Sequence, residues 1–265
     1  MSDRAVLPLS RVHATALVDP RAHLAEDVVV GPYCIVGPEV ELGPGCELAS
    51  HVRIDGPLVA GANNHFYHGA AIGGVPQDLK YSGARSRVEI GDHNVFREYV
   101  TVNRATEEGH ATRIGSHCLL MAYVHVAHDC VLHDHVILAN SVNLAGHVEI
   151  EERAIIGGMT PVHQFVRIGR YSIVGGGSRG SQDMPPFFKA AGNPLRVVGL
   201  NTVGLERNGV SVEARRALKE AYRHLYRSKL NVSQAVERIR SEHGECEEIQ
   251  HLLRFIQASD RGIVR

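Results

Sequence analysis

The chain has 265 residues, enough for one large domain or a large one with a small companion. A hydrophobic share of 44% and a charged share of 22% fit an ordinary globular protein, and a formal net charge of −1 gives no global pull toward nucleic acid or anionic lipid. Asp3 and Arg4 open the sequence, and no apolar run long enough for a signal peptide or a membrane span follows, so a cytoplasmic protein is expected. The five cysteines (Cys34, Cys46, Cys118, Cys130 and Cys246) are odd in number and lack CxxC spacing, which argues against a disulfide framework or a zinc site. With no Trp and few aromatics, the core must be built from small aliphatic side chains.

From Val12 the sequence repeats every six residues. Val12, Val18, Leu24, Val30, Val36, Leu42, Leu48 and Ile54 form one run. Ile114, Leu120, Val126, Leu132, Leu138, Leu144, Ile150, Ile156, Val162, Ile168 and Val174 form another. At this composition the agreement would arise by chance about once in 10⁷. Four residues after each aliphatic slot stands a small or β-branched residue, and four of the five cysteines fall there, as plain interior residues. Gly often follows the aliphatic slot directly, as at Gly31, Gly43 and Gly157.

Such hexads predict short strands and turns, three to a triangular coil of 18 residues, with aliphatic side chains stacking inward at about 4.8 Å per coil. Glycines and small residues are expected to release the backbone at the corners. The pattern breaks at Gln77 to Arg87 and at Thr106 to Ala111, which read as loops thrown outward from corners. After Val174 it stops, and Ser181 to Pro194, with three prolines, reads as a connector. Beyond it the period becomes helical. Ser211 begins a helix through Ser228, Asn231 with Gln234 makes a capping box for a second, and Cys246 to Ser259 gives a third. The expected organisation is a parallel β-helix over 1–190 and a small α-helical domain over 191–265.

Hexads alone fit many functions. Local sequence is more specific: Gln77-Asp78-Leu79-Lys80-Tyr81, His125-Val126-Ala127-His128-Asp129-Cys130, and Ile156 to Phe165. Leu144-Ala145-Gly146-His147 and Arg261-Gly262-Ile263 add to these. Together they resemble the UDP-N-acetylglucosamine O-acyltransferase family over nearly the whole chain. The left-handed sense of the coil is taken from that resemblance. The resemblance implies transfer of a 3-hydroxyacyl group from acyl carrier protein to the 3-hydroxyl of UDP-N-acetylglucosamine, the first step of lipid A synthesis. It also implies a homotrimer with sites between adjacent β-helices, and no metal or cofactor.

Attack of a hydroxyl on a thioester needs a base, an oxyanion donor and two positioned substrates. The family's catalytic histidine falls on His128, and Asp129 beside it is suited to fix the imidazole tautomer. Gly146, one coil on, matches the family's oxyanion donor through its backbone N–H. His125, His147 and His163 match substrate-pocket histidines, Gln164 a contact to donor or product, and Gln77, Asp78 and Lys80 contacts to the sugar nucleotide. Asn201 and Arg207 match residues near the nucleotide phosphates. Gly176 matches the position limiting acyl length, about 13 Å along the axis from His128, and a glycine there implies a long chain. Three departures stand out. Val203 stands where the family often has Glu, Asn208 where it has Arg, and Asn103 where it has His. The last leaves open a 3-amino sugar nucleotide as acceptor. Arg215, Arg216, Lys219, Arg223 and Arg227 give one tail helix a basic face, which suits either an acidic carrier protein or plain solvation.

Rival readings fare worse. Gly176-Gly177-Ser178-Arg179-Gly180 fits the nucleophile-elbow pattern, but Ser178 falls in an interior slot. A hexapeptide metal enzyme needs histidines on neighbouring coils, whereas the position two coils above His128 is Gln164. The pathway's N-acyltransferase carries an extra amino-terminal domain, and hexads starting at Val12 leave no room for one. A non-catalytic scaffold would not cluster His, Asp and Lys on its outer faces.

Overall fold

A computed structural model describes residues 11–265; Asp3 and Arg4 lie outside the described residues. The chain divides into two compact units, Met1–Asp134 and His135–Arg265.

In the first unit the hexads fold as strands of two to four residues in parallel sheets. Leu17 pairs with Ile35, Ile35 with Arg53, and Arg53 with Ala71, so each strand meets the one three strands later, 18 residues on. The aliphatic slots point inward. Val30, Val36, Leu42, Leu48 and Ile54 are at most 3% exposed, each contributing about 1.5–3 kcal/mol of burial. Val12, in the first described coil, is 40% exposed. Phe66 and Phe96 take two slots and stack at 4.9 Å.

The two irregular stretches are loops of whole hexads. Leu58 pairs with Val88, 30 residues on, and Val88 with Thr112, 24 on. Twelve and six residues are thus thrown out, which is why the six-residue period survives both. The small slots next to these loops hold Asn64 and Asn94, both fully buried. Asn94 Nδ2 donates to Asn64 Oδ1 at 3.0 Å and to the Gly115 carbonyl at 2.9 Å, and Asn94 Oδ1 accepts from the Cys118 amide. Asn64 Nδ2 donates to the Gly61 and Gly91 carbonyls. These interior amides are satisfied, as burial demands.

The corners correct one expectation. The left-handed positions fall mostly on non-glycine residues, among them Tyr33, His51, Tyr99, Tyr123 and Asp129, all one place before the small slot. The glycines after the aliphatic slot serve close approach instead. A Cβ on Gly31 would lie 2.0 Å from the Ala49 carbonyl oxygen.

In the second unit the same strands recur, Asn143 pairing with Pro161, Glu149 with Arg167 and Ile155 with Ile173. A Cβ on Gly157 would lie 2.3 Å from the Gly176 nitrogen, so successive coils again close over bare backbone. The four cysteines in small slots, Cys34, Cys46, Cys118 and Cys130, are buried, as their slots predict. The connector is more ordered than its prolines suggest. Phe188–Ala191 adds a further parallel strand to Ile173–Val174, and Arg196–Leu200 returns antiparallel to it, with Phe187 and Phe188 fully buried.

Four helices follow, not three. The additional one is the short α1 (Thr202–Arg207); Asn201 caps it, Oδ1 accepting from the Gly204 amide. Ser211 caps α2 (Val212–Tyr226), which buries Ala214, Ala217, Leu218, Ala221 and Leu225. Asn231 and Gln234 form both arms of the capping box of α3 (Val232–His243). Cys246 precedes α4 (Glu247–Gln257), which buries Ile249, Leu252, Leu253, Phe255 and Ile256. Among the described residues no helix is long and apolar enough to cross a membrane.

Candidate active site

In the first unit His128 and Asp129 sit at a coil corner. Asp129 has φ of 60°, a left-handed conformation that Asp tolerates better than most side chains. Its amide donates to Thr112 Oγ1 at 2.9 Å. Thr112 fills a small interior slot and is fully buried, so the core itself fixes the corner.

His128 Nδ1 lies 2.9 Å from Asp129 Oδ2. The same carboxylate oxygen accepts from Thr106 Oγ1 at 2.7 Å and from the Thr106 amide at 3.1 Å. With Nδ1 donating, the neutral ring is the Nδ1–H tautomer and Nε2 carries the lone pair. Nε2 lies 3.9 Å from Asp78 Oδ2, and His110 Nδ1 lies 4.0 Å from Asp129 Oδ1. The His128 ring therefore stands between the carboxylates of Asp78 and Asp129. The His128 and Asp129 side chains are only 14% and 8% exposed, which weakens competition from water.

Asp78 belongs to the first loop. Its Oδ1 accepts from the Lys80 amide, and its carbonyl from the Tyr81 amide, so the loop turns tightly around it. Arg104 braces the loop, donating to Tyr81 Oη at 3.1 Å and to the Gly56 carbonyl. Gln77 and Lys80 are exposed beside it. His125 Nδ1 meets Thr101 Oγ1 at 2.7 Å. Burial holds the His125 ring below the ordinary histidine range, and the neighbouring His128 pushes it the same way. The structure thus brings Asp78, His125, His128 and Asp129 together.

The remaining candidates lie in the second unit. Gly146 is buried, its carbonyl accepting from the Phe165 amide. His147 is exposed and stacks on Phe165 at 4.5 Å. His163 borders a cavity of about 410 Å³ with Arg179, Ser181 and Asn193. Its Nδ1 lies 3.1 Å from the Gln164 carbonyl and 3.3 Å from Arg261 Nη2, and one nitrogen can serve only one of them. Gln164, Gly176 and Arg207 are exposed. Asn201 is not: it is 5% exposed, and its amide is spent on the Tyr171 carbonyl and on capping α1.

Comparison with known proteins bears on the whole chain. Two stretches, 21–56 and 111–146, match the bacterial transferase hexapeptide (six repeats) family, and 183–264 matches UDP N-acetylglucosamine O-acyltransferase, domain 2. The acyl-[acyl-carrier-protein]–UDP-N-acetylglucosamine O-acyltransferase of Thiobacillus denitrificans is 45% identical over 97% of this chain and 100% of its own. That of Gloeothece citriformis is 52% identical over 78% of this chain and 75% of its own. The solved structure of LpxA from Acinetobacter baumannii superposes with a TM-score of 0.93 at 43% identity, covering 97% of this chain and 100% of that one.

The chain belongs to the UDP-N-acetylglucosamine O-acyltransferase family. It is an acyltransferase, and its fold is the family's left-handed parallel β-helix of hexapeptide repeats with a small C-terminal helical part. Sequence reading found the His128–Asp129 pair but not what holds it. Thr106 and Thr112 are ordinary in type, and nothing but their places, the first residue of the second break and the residue just after it, singled them out.

Proposed function

We propose that this acyltransferase moves a (3R)-3-hydroxyacyl group from acyl carrier protein to the 3-position of UDP-N-acetylglucosamine, the first step of lipid A synthesis, in the cytoplasm. The carrying observation is the His128 ring, held through Nδ1 by an Asp129 carboxylate that is itself held by Thr106. The substrates are those named for its relatives.

His128 Nε2 takes the proton of the sugar hydroxyl as its oxygen attacks the thioester carbonyl carbon. The tetrahedral intermediate collapses by breaking the C–S bond, and the imidazolium returns the proton to the departing thiolate. Asp129 keeps the tautomer and stabilises the imidazolium. No acyl-enzyme forms. The backbone N–H of Gly146, 18 residues beyond His128 in the hexad register, is read as the oxyanion donor.

Gln77, Asp78 and Lys80 take the sugar nucleotide, with His125, His147, His163 and Gln164 as further substrate contacts. Arg207 faces the phosphates. With its amide already spent, Asn201 contributes by ordering the helix that carries Arg207. Gly176 leaves space for a long acyl chain. The same reading makes 1–190 the catalytic β-helix and 191–265 the tail. It makes the working form a homotrimer, and Arg216, Lys219 and Arg223 on α2 the receiver for the acidic carrier protein.

A 3-amino sugar nucleotide is the second reading. Asn103 replaces a residue that the family often keeps as His, and its Oδ1 is buried with no hydrogen-bond partner among the described residues. The test is product formation from 3-hydroxyacyl carrier protein with each sugar nucleotide, for wild type and His128→Ala. Product in the wild type and a loss of about 10² or more in the variant is expected. No product with either acceptor refutes the reaction, and an unimpaired variant refutes the base.

A further inference from the structure

Away from the acyl-transfer residues, α2 and α3 face each other across a cluster of two histidines and two glutamates. Glu220 and His224 are one turn apart on α2 and share a face. Glu242 and His243 end α3. His224 Nε2 lies 2.9 Å from Glu242 Oε2, and His243 Nε2 lies 2.6 Å from Glu220 Oε2. One ligand atom from each of Glu220, Glu242 and His243 lies within 4.8 Å of the other two. His224 joins them through its contact with Glu242.

We infer that Glu220, His224, Glu242 and His243 form a divalent transition-metal site that ties α2 to α3. Two imidazoles and two carboxylates are a donor set for zinc, with Zn–N and Zn–O bonds of about 2.0–2.1 Å. Four ligands at that length stand about 3.3 Å apart in a tetrahedron. The two hydrogen-bonded pairs need to open by about half an ångström, and the Glu220, Glu242 and His243 ligand atoms, which lie within 4.8 Å of one another, to close by as much as about 1.5 Å. His224 lies outside that group of three and must turn further about its side-chain torsions to join it. Each histidine Nε2 already faces a carboxylate oxygen across the seam, so an ion there would meet atoms that point toward one another.

Arg238 competes for Glu242 only in part. It pairs with Oε1, whereas Oε2 is the atom facing His224. Access is open from both sides of the seam. Glu242 and His243 line a cavity of about 720 Å³ at one end, and His224 and Arg238 line another of about 500 Å³. The site takes no part in acyl transfer; its effect is to clamp the two helices.

The test is zinc binding by calorimetry to the metal-free full-length protein, with cobalt as a spectroscopic substitute. Wild type should take one zinc equivalent per chain with micromolar or tighter affinity and give the visible absorption of four-coordinate cobalt. His224→Ala with His243→Ala should lose that equivalent and the absorption. Glu242→Gln should weaken the affinity at least tenfold. Helix content checks that the variants fold, and zinc should raise the thermal midpoint of wild type alone. The chain has 17 histidines, so zinc binding that is unchanged in the double variant would place the ion elsewhere and overturn the assignment. So would a wild type that binds none.

Discussion

The hold on Asp129 gives the sharpest prediction. Its Oδ2 accepts from three donors: the His128 ring, the Thr106 hydroxyl at 2.7 Å and the Thr106 amide at 3.1 Å. Thr106→Val removes the shortest of these and keeps the shape of the side chain. A hydrogen bond to a charged acceptor is worth about 1.5–3 kcal/mol. If all of it were needed to keep the imidazole aligned, the rate would fall about 10- to 150-fold, at about 1.4 kcal/mol per decade. The Thr106 amide still holds the carboxylate, so the lower end, about tenfold, is expected. The loss should appear in kcat, because Thr106 touches Asp129 and not the substrates, with KM within about twofold of wild type. Thr106→Ser keeps the hydroxyl and should restore most of the rate. The assay is steady-state acyl transfer from the carrier protein, with the thermal midpoint measured beside it. A valine variant with wild-type kcat, or a serine variant as slow as the valine one, would refute the reasoning.

Three further outcomes follow from contacts elsewhere. Asn94→Ala strips the Gly115 carbonyl and the Cys118 amide of an interior partner and leaves Asn64 Oδ1 with the Asn94 amide alone, and should cost about 3 kcal/mol, read as a lowered thermal midpoint. At Gly176 a Cβ would already lie 3.1 Å from the Gly158 carbonyl oxygen, so Gly176→Met must project outward. It should shift preference toward shorter acyl donors in a chain-length competition while the fold persists; unchanged preference would remove Gly176 as the ruler. His125 should titrate below the ordinary histidine range by NMR, and move up in His128→Ala yet stay low, because burial is the larger cause. Its folded value lies below its unfolded one, so the unfolded chain binds more protons between them. Stability should fall as pH drops through about 6.5 and level off below the folded value. A His125 ring that titrates normally would remove that contribution.

Much of the fold was legible because the coil writes two side chains in six into its interior, one aliphatic and one small. Slots such as Leu48 and Ile54 had no alternative but to be aliphatic, and the caps at Ser211 and Asn231 carry their own chemistry. What escaped lacked a period. Phe188–Ala191 and Arg196–Leu200 are strands among prolines, and α1 is too short to show a face. The corner rule escaped too, because the left-handed residues are Tyr, His and Asp rather than Gly. At the site, His128 and Asp129 stood out by motif, whereas Thr106 reaches them only because the second loop is six residues long and folds back. Adding 18 to a residue number finds its neighbour along most of the first unit, but fails across both loops.

The buried asparagines answer a question that those loops raise. Aliphatic rungs are interchangeable, so a segment freed by a long loop could settle one hexad out of place and still bury its valines. Asn64 and Asn94 stand on either side of the twelve-residue loop, and Asn94 and Cys118 on either side of the six-residue one. A slipped chain would set an amide against an apolar rung and leave its donors and acceptors unmet, at about 1–3 kcal/mol for each group. One polar rung thus acts as an alignment key, much as a single interior Asn selects the partner and stagger of a coiled coil. The same loops that carry Asp78 and Thr106 to His128 can therefore be long without making the winding ambiguous.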